Sequence, residues 1–208
     1  MKITRFEQSG MIIETNGGLK LAIDIGSYTQ TEKLENISVD IMLCTHIHQD
    51  HFSIPQIKKL SPKKLCLNAE CIDATGEEEI TSEVIQLKSN ETFSFGGVTV
   101  QVFDVDHGPN VRGTLKENFG FLIKADGETL YHPGDMFYES GIDVSQLEVD
   151  YVFLPVGTHY TFGPEEAFNF AKKFKRIGKL SPMHDRNIPG LKEKFIELAA
   201  GAGFTNIE

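Results

Sequence analysis

The 208-residue sequence is poor in cysteine, in positive charge and in long apolar runs, and each shortage removes a class of function. Its three cysteines, Cys44, Cys66 and Cys71, make neither an even set nor a C-x-x-C pair. That argues against a disulfide framework and fits a reducing cytoplasm, the expected location. No run approaches the ~20 apolar residues that a membrane-spanning helix needs. The opening stretch, MKITRFEQSGMIIETNGG, has neither a continuous apolar region nor a small-residue cleavage site, so no signal peptide is expected. Lys and Arg number 20 against 30 Asp and Glu, a formal net charge of −10, which opposes a broad nucleic-acid footprint. No long linker divides the chain, so one domain over residues 1–208 is expected. It is large enough to bury a full core without structural metals.

The strand signals dominate. KITRF, MIIET and LKLAID, with a turn at Asn16, Gly17 and Gly18, read as a meander. DIMLCT is a nearly continuous apolar run, suggesting burial on both faces, with Cys44 as a small core residue. Ser53 and Gln56 form a capping-box signature before a helix. KKLCLNA reads as a strand and ECIDATGEEE as a short helix and turn. EVIQL and TFSFGG open a second run of strands, continued by VTVQVFDVD, by FGFLIKA and ETLYH around the Asp126-Gly127 turn, and by DYVFLPV. GPEEAFNFAKKFKRIG predicts a helix from Pro164 to a stop at Gly178, with Ala167, Phe168, Phe170, Ala171 and Phe174 on its apolar face. KLSPMHD is strand-like, and a last helix follows Pro189. This order predicts an α/β fold, an αββα sandwich of two mixed β-sheets packed face to face with helices on both outer faces.

The chemistry concentrates in LCTHIHQDHFS, residues 43–53, where His46, His48, Asp50 and His51 fall in a strand-to-helix loop. A loop allows all four to converge, which neither a helix nor a regular strand would permit. Imidazole and carboxylate without thiolate suit Zn²⁺, Mn²⁺ or Fe²⁺ at a hydrolytic centre better than a structural zinc site. His107, Asp135 and His184 each fall at or just past a predicted strand end. The total exceeds what one tetrahedral ion uses, a two-metal pattern.

THIHQDH resembles the signature loop of the metallo-β-lactamase superfamily. Asp24 in LAIDIG, His107, Asp135 in YHPGD and His184 in SPMHD follow in that family's order. The resemblance implies that His46, His48 and His107 hold one ion, that Asp50, His51 and His184 hold the other, and that Asp135 bridges them. It also implies that Asp24 supports the loop from behind. Within the superfamily, LYHPGDMF and LPVGTHYTFGPEEAFNFA look most like the branch containing L-ascorbate 6-phosphate lactonase. Met136, Phe162 and Asp185 depart from that branch's pattern, which bears on the substrate rather than on the metals.

Two such ions would lower the pKa of water toward about 7 and so supply a bridging hydroxide, while polarising a carbonyl or phosphoryl oxygen. Two divalent ions against Asp50, Asp135 and one hydroxide leave the centre net positive, suited to a small anionic ester, lactone or phosphoester. Asp50 and His159 are the catalytic candidates. His159 lies where it could donate to an oxyanion or protonate a leaving group. His132 is expected to support the site or to pack, and Asn110, Arg112 and Lys116 are candidate substrate contacts. Two alternatives stand beside this reading. One is a phosphodiesterase or nuclease on the same centre, though no substrate-holding insertion is visible; the other is a non-catalytic metal-binding protein, which the filled ligand positions disfavour. The expected partner is a small molecule, with no nucleic acid and no membrane, and self-association into a homo-oligomer is left open.

Overall fold

The computed structural model describes residues 1–111 and 115–207. The chain divides into two compact units, residues 1–89 with 115–117, and residues 90–114 with 118–208.

The first unit is built on a six-stranded sheet in sequence order, β1 (Lys2–Arg5), β2 (Met11–Glu14), β3 (Lys20–Ile23), β4 (Ile41–Leu43), β5 (Lys64–Leu67) and β6 (Glu83–Gln86). The β1-β2-β3 part is an antiparallel meander, and β3 through β6 run parallel. Parallel neighbours need crossovers. Helix α1 (Ile54–Leu60) connects β4 to β5, and α2 (Ala69–Thr75) connects β5 to β6. Ala22, Met42, Cys44, Ile57, Leu60, Leu65 and Cys71 form one apolar cluster. Ile23, Ile41 and Leu43 are also fully buried, as the unbroken apolar runs of these strands require.

The second unit carries a six-stranded sheet of order β12-β11-β10-β9-β8-β7. Its strands are β7 (Thr92–Phe95), β8 (Val98–Asp104), β9 (Phe119–Ala125), β10 (Glu128–His132), β11 (Glu148–Pro155) and β12 (Arg176–Met183). Here β7 to β10 are antiparallel and β10-β11-β12 parallel. Two antiparallel steps separate β8 from β10, so β8, β10, β11 and β12 all point the same way. Helices α3 (Pro164–Ala171) and α4 (Leu191–Gly201) pack together, and Ala167, Phe170, Phe174, Phe195 and Ala199 join Phe103, Tyr131, Val152 and Leu180 in one cluster.

The expectation of two mixed sheets with helices in an α/β fold holds, while three local expectations need correction. EVIQL does not open the second run of strands: β6 pairs parallel with β5 and closes the first sheet. The helix after Pro164 stops at Ala171, and Arg176, Ile177 and Gly178 belong to β12. Pairing with β11, from Glu148 opposite Arg176 onward, overrides the helical pattern there. Gly178 is a close-approach residue, since a Cβ on it would lie 2.7 Å from the Asp150 carbonyl oxygen. Ser53 is the N-cap of α1, yet its hydroxyl donates to Gln56 Oε1 (3.0 Å) and caps no backbone N–H. Pro55 at the second helical position has no N–H to give it.

Candidate metal centre

Asp24 organises the ligand loop of the first unit. It follows β3 directly in the left-handed region (φ 49°), a conformation that Asp tolerates better than most residues. Its Oδ1 accepts the Thr45 backbone N–H (2.8 Å) and its Oδ2 the Thr45 hydroxyl (2.8 Å). His51 Nδ1 lies 2.8 Å from the same Oδ2, with both side chains fully buried. A carboxylate at that distance takes an Nδ1–H, which puts the lone pair of His51 on Nε2. Thr45 Oγ1, having donated to Asp24, accepts from His46 Nδ1 (3.0 Å), so His46 also presents an Nε2 lone pair. That Nε2 sits 3.0 Å from His48 Nδ1. Asp50 Oδ2 is 3.8 Å from His51 Nε2. Behind the loop, Gly26 leaves room for the Asp50-His51 backbone, 2.0 Å from where its Cβ would be, and Ser27 N–H donates to the Gln49 carbonyl (2.7 Å). Cys44 is the core residue expected; burial holds its thiol well above the usual range, and its S–H donates to the His46 carbonyl (3.1 Å).

In the second unit, His107, Asp135, His159 and His184 follow the ends of β8, β10, β11 and β12, whose shared direction delivers them to one edge of that sheet. Crevices at such carboxyl ends are where open α/β sheets bind ligands. Asp135 Oδ2 lies 3.4 Å from His107 Nε2 and 3.1 Å from His184 Nε2, all three residues being buried. His107 Nδ1 meets the Tyr160 carbonyl at 3.0 Å, an arrangement that fixes the proton on Nδ1 and the lone pair on Nε2. The Asn118 side-chain amide donates to the Asp135 carbonyl (2.9 Å) and, more weakly, to that of Val105 (3.3 Å). His132 is buried and its Nδ1 accepts the Gly134 N–H (3.2 Å), ordering the turn into Asp135.

The donor set fits divalent ions. His46, His48, Asp50 and His51 in the first unit, and His107, Asp135 and His184 in the second, offer ligand atoms placed to hold metal. With bonds of ~2.0–2.1 Å, two ligand atoms on one tetrahedral zinc stand about 3.3 Å apart, comparable to the 3.0–3.8 Å separations within each unit. Each imidazole whose proton is assigned has it pinned by a carboxylate, hydroxyl or carbonyl, the arrangement that orients metal-bound histidines.

The remaining candidates divide. His159 is exposed, in the left-handed region (φ 47°), with its ring edge-on to Tyr160 at 4.5 Å. The Asn110 side chain is tied to the His159 carbonyl. Lys116 is exposed in the first unit, with its N–H on Glu70 (2.8 Å). Arg112 lies outside the described residues. Sequence reasoning missed Thr45, Asn118 and the Tyr160 carbonyl. Thr45 stands inside the quoted loop and was open to suspicion; the other two act through contacts that no spacing encodes.

Comparison with known proteins agrees with this chemistry. Residues 2–177 match the β-lactamase superfamily domain. A UPF0173 metal-dependent hydrolase from Geobacillus sp. is 30% identical over 202 residues, covering 91% of this chain and 87% of that protein. One from Anoxybacillus flavithermus is 28% identical over 222 residues, covering 98% and 95%. A metallo hydrolase from the archaeon Ignicoccus hospitalis superposes with a TM-score of 0.79 at 22% identity, over 99% of this chain and 93% of its own. With this family match and the two sheets described, the chain belongs to the metallo-β-lactamase superfamily and, within it, to the UPF0173 metal-dependent hydrolases.

Proposed function

We propose that this metal-dependent hydrolase works with two divalent ions, zinc foremost, and cleaves an ester, lactone or phosphoester bond in a small anionic substrate. His46, His48 and His107 would hold one ion, Asp50, His51 and His184 the other, and Asp135 would bridge them. When bound, such ions supply a hydroxide nucleophile near neutral pH and polarise the substrate's carbonyl or phosphoryl oxygen. The observation that carries this reading is the pair of oriented ligand sets, one in each unit: Asp24 behind His51, and the Tyr160 carbonyl behind His107. A chain that merely displayed histidines would have no reason to bury and pin their far nitrogens.

The chain's own residues then have distinct tasks. Asp24 and Thr45 keep the imidazoles of His46 and His51 in the tautomer that offers Nε2. Asn118 and His132 hold the Asp135 turn. His159, exposed in the loop after β11, would protonate a leaving group. Lactonase-like cleavage is the preferred bond chemistry because no basic arm for a nucleic acid accompanies the site among the described residues. A panel of lactones, thioesters, carboxylic esters and phosphodiesters assayed with metal-replete protein tests this reading. Turnover of lactones or esters, lost in Asp135→Asn, is the expected result; turnover confined to phosphodiesters would replace it.

A further inference from the structure

A pocket of about 440 Å³ opens in the second unit, within the ~300–1,000 Å³ of small-molecule sites. Phe137, Tyr138, Thr158, His159, Phe162 and Glu166 are among its walls. Three observations make it more than a surface dimple. Tyr138 is 46% exposed, one of few large apolar side chains left in solvent, and meets Phe137 edge-on at 4.8 Å, while Phe162 is buried. Thr158 (φ 56°) and His159 (φ 47°) are consecutive left-handed residues, costly above all for a β-branched side chain. The turn is locked by Thr158 N–H to the Phe162 carbonyl (3.1 Å) and Thr161 N–H to the Thr158 carbonyl (3.0 Å). Strain held this firmly concentrates at functional sites. Finally, the walls continue directly from ligand-bearing segments. Phe137 is two residues beyond Asp135, its N–H donates to the Asp106 carbonyl (2.9 Å), and Gly108, beside His107, has no Cβ where one would meet the Phe137 ring at 2.4 Å.

We infer that this pocket receives a neutral aryl portion of the substrate and that Tyr138 sets the preference for it. Aromatic walls favour an aromatic guest through edge-to-face and offset contacts. The lining also carries Glu165, bonded to Lys194, and Glu166, which makes no ion pair among the described residues. A negative group would be repelled there, so the anionic or polarised part of the substrate points away and the neutral ring enters. The inference rests on the hydrolase reading above and deepens it.

Equilibrium binding tests it independently of turnover, using the fluorine resonance of 4-fluoroanisole with full-length, metal-loaded protein. The wild type should broaden that resonance in a saturable manner. Tyr138→Ala should weaken binding about five-fold or more, and Tyr138→Phe, which keeps the ring, should retain it within about two-fold. Circular dichroism confirms that both variants fold. No saturable broadening with the wild type, or undiminished affinity in Tyr138→Ala, overturns the inference. A protein that binds 4-fluoroanisole in this pattern yet cleaves nothing in the panel keeps the pocket and counts against the hydrolase reading.

Discussion

At the scale of single residues, Asp24 does more than any ligand it supports. Its two oxygens receive Thr45 twice and His51 once, so its loss would release the orientation of two imidazoles together. Asp24→Asn keeps the left-handed backbone within reach but offers only one acceptor oxygen. Metal affinity, measured by competition against a chelator, should fall about 10- to 100-fold while the far-UV spectrum stays native. Tyr131 makes the opposite case. Its hydroxyl is buried among Phe103, Phe170 and Phe174 with no hydrogen-bond partner among the described residues, and burial pushes its pKa up. Tyr131→Phe should therefore raise stability by about 1 kcal/mol in denaturant unfolding. The candidate metal ligands stand out in the sequence because four of them crowd into six positions and the others follow strand ends. Asn118 and the Tyr160 carbonyl were not, since a lone Asn before a strand and a backbone carbonyl look the same wherever they sit.

At the scale of elements, strands were read well because alternation and turn chemistry are local, as at Asp126-Gly127, both with positive φ. The end of α3 and the affiliation of β6 were misread because they depend on which distant strand pairs with which. Gly178 is the physical trace of one such pairing. Gly178→Ala should cost about 1–3 kcal/mol through its collision with the Asp150 backbone. Gly201→Ala, with open space around it in the last turn of α4, should cost nothing or stabilise by up to about 1 kcal/mol. Asp40 clasps the starts of three neighbouring strands. Lys63 Nζ donates to its Oδ1 (2.7 Å), Lys20 N–H to its Oδ2 (2.9 Å), and Lys64 N–H to its carbonyl (2.9 Å). The Lys63 bond first, then the Lys20 N–H, holds its carboxyl below the usual value against a smaller opposing effect of burial. A depressed carboxyl stabilises fully above its unfolded pKa of about 3.9 and loses that contribution as pH falls through the lower folded value. In Asp40→Asn, the dependence of the unfolding midpoint on pH below about 4 should flatten.

At the scale of the whole molecule, the net charge of −10 does not oppose the anionic substrate proposed, because bound divalent ions would reverse the local sign that the composition gives the surface. No helix among the described residues is long and apolar enough to cross a membrane. Ligands that bind only the folded chain stabilise it by mass action, about 2.7 kcal/mol at a hundred-fold excess over Kd, so added zinc should raise the melting temperature. The most direct test of the account is the metal content of the metal-replete protein by elemental analysis, beside Asp135→Asn and His51→Ala. The account predicts about two divalent ions per wild-type chain and about one or fewer in each variant. A wild-type chain without metal, or variants that keep the wild-type content, would contradict it.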